Sequence, residues 1–506
     1  MSDSRTKNVS INMSAALFCQ VINLILNFVS RTIFIKTLGA DYLGVNGLFS
    51  NVLSILSFAE LGIGNAIIFS MYKPLAEHDE DKLASLMLLY KKAYRIILTV
   101  VVVAGVSVIP FLDYVIKGEP KVSENLVLLY LLFLANTAIS YVAVYKKSII
   151  YADQKNYIIL LATEATHILQ ILLQMYVLYK YRSFIAFLVI QIVCTLAGNI
   201  ICSLVANKKY PFLTKEPTPL AKSERRNVFQ NIKAMAMYKL GSIVLNSTDN
   251  LLVSAMLGVT PVGYVSNYVL LHSACNSILG NITSSFTASV GNLNVVGSEE
   301  HKYNIFNRIL LITVWLYGFA TIGLIVISKY LIHVWVGDEY ILDSATVIAI
   351  MFGFYVSGVH AVESNYRTTM GYFVKGRWAP GASSLINIAL SIFLCKWIGL
   401  AGIFIATPIA RMSAIGIVDT ILIYRDGFNK SPWIYYWKNL IYFIILVIIC
   451  TLCMWLVSLV SIEGWIGVII QCLIVTLVYN GVMFLIFFRT SLFQDIVSMI
   501  VNLIKK

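Results

Sequence analysis

Seven ionisable residues sit inside long apolar runs: Arg31, Glu60, Glu164, Lys239, Asp249, Glu363 and Arg411. At the centre of a membrane helix each costs about 2.5–3.5 kcal/mol, so unpartnered in lipid they would together cost on the order of 20 kcal/mol. Such side chains pair with one another, line a water-filled cavity, or do both. Arg31 closes a stripe of Gln20, Asn23, Asn27 and Ser30, whose three- and four-residue spacing puts the set on one helix face. A second stripe follows 219 residues later in Lys239, Ser242, Asn246, Asp249 and Asn250. Ser273, Asn276, Gly280, Thr283 and Thr287 add a third face, and Ser54, Ser57 and Gly64 a fourth. For the small and hydroxylated residues the plain reading is helix-to-helix glue. Glu60, and Glu363 one turn from Arg367, have a structural ion-pair reading as well. Arg31 is close enough to a helix end to snorkel. Lys239 and Asp249 lie deeper, and a polar cavity accounts for them better.

The elements that must position these residues are membrane helices. Of 506 residues 59% are apolar and only 12% charged, and the mean hydropathy is +0.80. Soluble domains carry about twice that charged fraction. Fourteen apolar segments, from 12–36 to 465–488, are each long enough to cross a bilayer. The fold expected is therefore all-α and polytopic. Lys and Arg cluster in alternate connections (Lys91, Lys92 and Arg95, then Lys146 and Lys147, then Lys208 to Lys233), which places both termini in the cytoplasm. The net charge of +13 is then a topology signal with attraction to anionic lipid, and nucleic acid is excluded as a partner. The polar start is followed by a long apolar helix without a cleavage motif, the pattern of a retained first span.

The repeat reaches beyond the stripes. LGADYLGVNG from Leu38 has an echo in LGVTPVGYVS from Leu257, and an acidic cluster at Asp79–Asp81 has one at Glu299 and Glu300. A tight turn with φ > 0 explains glycines at such positions. The Pro-rich basic stretch 207–227 divides two sets of six helices. The expected organisation is an N-lobe at 1–206, a cytoplasmic linker at 207–227, a C-lobe at 228–424, and helices 13 and 14 with a tail at 425–506. Six helices per copy give two copies of the same orientation, related by an axis along the membrane normal.

Enzyme signatures are missing. Gly371 to Gly376 has phosphate-loop spacing, but Arg377-Trp378 stands where Lys-Ser/Thr would be needed. The six histidines make no HExxH, and the eight cysteines lie in apolar segments as small hydrophobes; Cys450 and Cys453 have CxxC spacing without a second pair. No cofactor or metal is expected, and no catalytic residue.

The runs RTIFIKTLGADYLGVNGLFSNVLSILSFAELGIGNAI (31–67), DNLLVSAMLGVTPVGYVSNY (249–268), WVGDEY (335–340) and NIALSIFLCKWIGLAGIFIATPIAR (387–411) resemble polysaccharide transporters. These form a branch of the multidrug/oligosaccharidyl-lipid/polysaccharide (MOP) flippase superfamily. The resemblance implies two six-helix lobes around a central cavity open alternately to either side. It implies export of undecaprenyl-diphosphate-linked oligosaccharide units across a bacterial cytoplasmic membrane for surface polysaccharide synthesis. A polymerase, glycosyltransferases and H⁺ or Na⁺ coupling would accompany that role. Arg31 and Lys239 would then hold the diphosphate. Gln20, Asn23, Asn27, Asn246, Asp249, Asn250, Ser273 and Asn276 would line the sugar path. Glu60, Glu164, Glu363, Arg367 and Arg411 would serve structure or coupling. A drug exporter of the superfamily commonly carries an acid on its first helix, whereas none occurs here between Asn12 and Lys36. A lipid II flippase differs only in cargo. A scaffold of a glycan assembly complex would need no polar cavity.

Overall fold

The computed structural model describes residues 2–56, 68, 70–71, 74–75, 77–116, 120–153, 155–214, 248–296, 299–370, 372, 375–460 and 462–504. Those residues form an all-α, polytopic membrane protein. Nine of their helices are long and apolar enough to cross a bilayer, or ten with one bent pair. Most of the second half of the expected span 43–70 and most of 229–256 lie outside the described residues, as do Glu60, Lys239 and Asn246.

The chain divides into two compact units, Met1–Gly263 and Tyr264–Lys506. The first begins with α1 (Ser2–Leu38) and α2 (Ala40–Leu56). It continues with α3 (Glu80–Val108), α4 (Leu126–Tyr141), α5 (Val144–Ala152), α6 (Asn156–Tyr181) and α7 (Phe184–Lys209). Polar caps set these starts. Asp79 accepts from the Lys82 amide at 2.9 Å ahead of α3, and Asn125 from the Val127 amide at 2.8 Å ahead of α4. The segment expected as one span at 124–146 is broken, because α4 and α5 meet at 42°.

A helical run at 248–257 leads through Gly258 into α8 (Val259–Val296), whose first turn ends the first unit. Here the echoed phrase shows its use. Gly39 and Gly258 both adopt positive φ, +88° and +105°. The Gly39 amide donates to the Ile35 carbonyl at 3.0 Å, and the Gly258 amide to the Ser254 carbonyl at 3.1 Å. Downstream of these turns the two helix starts press backbone to backbone. A Cβ on Gly44 would sit 2.2 Å from the Val259 carbonyl oxygen, and one on Gly263 would sit 2.3 Å from that of Ala40. Adding 219 turns Ala40 into Val259 and Gly44 into Gly263, so each contact is the mate of the other. The same offset relates the partners of a hydrogen bond in which the Thr260 hydroxyl donates to Asp41 Oδ1 at 2.6 Å. The second carboxylate oxygen of Asp41 accepts from the Lys121 amide at 2.9 Å.

The second unit holds α9 (Glu299–Val336), α10 (Ser344–Thr369), α11 (Ala379–Ile398), α12 (Leu400–Gly427), α13 (Trp433–Ser458), α14 (Gly464–Phe487) and α15 (Ser491–Ile504). Gly399, at φ +60°, folds α12 back along α11. Gly402 allows contact so close that a Cβ would lie 2.4 Å from the Leu394 backbone. Along that seam Ser383 donates to the Ala410 carbonyl at 3.0 Å and Asn387 to Thr407 at 2.8 Å. This is the small-and-hydroxyl glue of membrane helices. Helix α12 carries Pro408 and two π-helical stretches, Arg411–Gly416 and Leu422–Gly427. The C-terminal tail forms α15. Its Phe493 stacks on Trp315 at 5.7 Å, and Asp495 accepts from Arg308 at 2.6 Å.

Candidate functional site

Two polar clusters lie inside the units, each built where an apolar helix presents a few charged or amide groups to its neighbour. In the first unit α1 packs along α6. Asn23 donates from Nδ2 to Glu164 Oε2 at 2.7 Å and accepts at Oδ1 from His167 Nδ1 at 3.0 Å. The same imidazole nitrogen is 4.0 Å from Glu164 Oε2, one helical turn away. One amide thus clamps a carboxylate and an imidazole that could exchange a proton or hold a small cation. A hydrogen bond to a charged group of this kind is worth about 1.5–3 kcal/mol. Farther along α6, Gln170 donates to Gln174 at 3.4 Å, and Gln174 to the Phe187 carbonyl at 3.0 Å. Between Asn12 and Lys36 α1 supplies no carboxylate; α6 supplies one there instead.

The second cluster joins α10 to α12. Arg367, one turn from Glu363, pairs with Asp419 at 2.5 Å rather than with Glu363, and His360 approaches the other Asp419 oxygen at 3.2 Å. Glu363 Oε1 accepts from the Thr420 hydroxyl at 2.5 Å. Asp419 is fully buried, and Glu363 and Arg367 are each 3% exposed. An ion pair so enclosed tolerates loss of neither partner, since the survivor would be a buried lone charge. Asp419 and Thr420 stand between the two π-helical stretches of α12, which turn both side chains towards α10. Such stretches recur at functional positions.

The other candidates are placed as follows. Gln20 and Arg31 on α1 are half-buried and engaged with neighbours, and Asn27 is exposed. Asp249 and Asn250 are half-buried in the run 248–257. On α8 Ser273 and Asn276 are exposed, and Asn276 Oδ1 accepts from the Tyr317 hydroxyl at 3.0 Å. Tyr317 in turn lies so close to α10 that a Cβ on Gly358 would fall 2.1 Å from its ring. Arg411 is half-buried in the first π-helical stretch. Sequence reasoning missed His167, His360, Asp419 and Thr420. The signal for His167 was its three-residue spacing from Glu164, and for Asp419 a lone acid in the apolar run of α12. All eight cysteines are free thiols, and among the described residues no group of three or more His, Cys, Asp or Glu converges on a metal position.

The lipid II flippase MurJ, in an inward closed conformation, superposes with a TM-score of 0.67 over 94% of this chain and 98% of its own, at 18% identity. This chain has the fold of that flippase. An inward-facing multidrug resistance MATE family transporter of the MOP superfamily follows at 0.61, covering 85% of this chain and 97% of its own at 12% identity. The Vibrio cholerae MATE transporter VcmN in the bent form gives 0.52, with 86% and 98% coverage at 12% identity. No protein-family model matches the sequence, and no curated protein does. The shared fold is one of transporters and flippases, and it extends over nearly the whole chain.

Proposed function

We propose that the chain is a flippase carrying undecaprenyl-diphosphate-linked oligosaccharide units across the bacterial cytoplasmic membrane, both termini cytoplasmic, by alternating access. The observation that carries this reading is the fold, common to a lipid II flippase over 94% of the chain. The cationic stripe residues add the cargo chemistry. A diphosphate crossing a low-dielectric region needs compensating charge, because an unpaired anion there costs several kcal/mol or more. Arg31 and Lys239 supply that charge, Arg31 as a two-pronged donor and Lys239 as a point charge. Amides and hydroxyls of Asn27, Asn246, Asn250, Ser273 and Asn276 bond sugar hydroxyls along the path.

Coupling falls to the Asn23–Glu164–His167 cluster. It places a carboxylate against the stretch of α1 from Asn12 to Lys36, which has none, and a carboxylate beside an imidazole binds and releases a proton with little rearrangement.

The test is export in cells lacking the native protein. Lys239→Ala should cut glycan export roughly ten- to a hundred-fold, the rate equivalent of a lost charged hydrogen bond. Membrane abundance should stay unchanged, and Lys239→Arg should restore part of the rate. Normal export by a stable Lys239→Ala protein would remove the phosphate role.

A further inference from the structure

The second unit contains a cavity of about 430 Å³ between α10, α12 and α13. Its size is that of a small-molecule site. Five aromatic rings line it, Phe352, Tyr355, Tyr435, Tyr436 and Phe443, together with Glu363. Three lining residues are open to the surroundings: Met412, Leu440 and Phe443 are 54%, 45% and 41% exposed. In a membrane protein that surface faces lipid, so the opening is to the bilayer. Trp433 and Trp437, 70% and 62% exposed at the start of α13, mark the nearby membrane interface.

The charges around the cavity are unequal in their partners. Arg367 and His360 are both spent on Asp419. Arg411 also lines the cavity, is engaged with a neighbour of its own, and acts electrostatically on His360. Glu363 has only the Thr420 hydroxyl and, from α13, that of Tyr435. Among the described residues no Lys, Arg or His lies within ion-pair distance of its carboxylate. A carboxylate so buried calls for a cation. Aromatic walls favour a cation too, each ring face adding about 0.5–2 kcal/mol. A proton would satisfy Glu363 and leave the rest of the volume unexplained.

We propose that this cavity is a lipid-accessible binding site for an amphipathic amine, with the ammonium on Glu363 and the apolar body among the rings, opening towards Met412 and Leu440. It lies within one unit and is walled partly by α13. Its ligand therefore acts as a regulator, pinning the π-helical part of α12 against α10, and is not cargo. The site stands independently of the flippase reading, and its test does not measure transport.

The full-length protein in nanodiscs is labelled with a photoreactive diazirine-bearing long-chain primary amine. Dodecylamine and dodecanol are the competitors. Labelled peptides should map to Phe352–Glu363, Met412–Thr420 or Tyr435–Phe443. Dodecylamine should remove the label and dodecanol at equal concentration should not. Glu363→Gln retains an acceptor for Thr420 but no charge, and should reduce labelling at least about tenfold, which is about 1.4 kcal/mol. Leu440→Trp, at the exposed opening, should also reduce it and serves if the Gln variant fails to fold. Equal competition by dodecanol would reduce the site to an apolar groove. Undiminished labelling of a folded Glu363→Gln protein would remove Glu363 as the partner of the ammonium and overturn the proposal. Label confined to other lipid-facing helices would overturn the site altogether.

Discussion

At the residue scale the most telling side chain is Asn23, because a neutral amide organises the charged groups around it. It donates to Glu164 and accepts from His167, at 2.7 and 3.0 Å. Asn23 and Glu164 were both legible as polar residues in apolar runs, but their meeting was not. It depends on α1 and α6 being neighbours, which no local pattern encodes. His167 was missed because its three-residue spacing from Glu164 gains meaning only once Asn23 is known to meet both. The same holds for Asp419, whose burial is tolerated through Arg367 and His360, 52 and 59 residues away. If the Asn23 cluster couples ion flow to transport, Glu164→Gln should keep its bond to Asn23 and lose the proton site. In proteoliposomes with an imposed pH gradient, its initial rate of glycan flipping should fall at least about tenfold, or about 1.4 kcal/mol. Exchange without a gradient should persist. Equal gradient-driven rates in variant and parent would remove Glu164 from coupling.

At the scale of elements the echoed phrase explains itself through the starts of α2 and α8. The glycine echo was visible in the sequence, and the positive φ of Gly39 and Gly258 follows from what such turns need. Hidden was the reason for Gly44 and Gly263, which is the mutual approach of two backbones. Each glycine faces the start of the other helix, Gly44 against Val259 and Gly263 against Ala40. Substitution by Ala forces a rigid carbonyl to move, with an expected cost of about 1–3 kcal/mol. Because the contacts are mates, Gly44→Ala and Gly263→Ala should lower thermal stability in detergent by similar amounts. Tolerance of both would mean the helix starts do not hold this contact in solution. The two π-helical stretches and the 42° break between α4 and α5 were not legible. Each is a departure from regular helix set by packing, and the hydropathy pattern crosses it unchanged. The amphipathic α15 was overlooked for the opposite reason, being too short and too polar on one face to read as a span.

At the scale of the molecule, an all-α membrane protein followed from composition and from the spacing of apolar runs alone. The likeness to flippases and MATE transporters then fixed the fold beyond what hydropathy gives. Cargo is a matter of charge at a few positions, and the fold is shared by carriers whose cargoes differ. The central claim is that this chain moves a diphosphate-linked glycan lipid. Its most direct test uses purified protein in liposomes bearing a fluorescent undecaprenyl-diphosphate oligosaccharide on one leaflet, with a membrane-impermeant reductant quenching whichever molecules reach the other. The account predicts flipping well above protein-free liposomes, reduced in Lys239→Ala and not competed by organic cations. Flipping no faster than in empty liposomes, alongside gradient-driven uptake of a cationic dye by the same preparation, would contradict it.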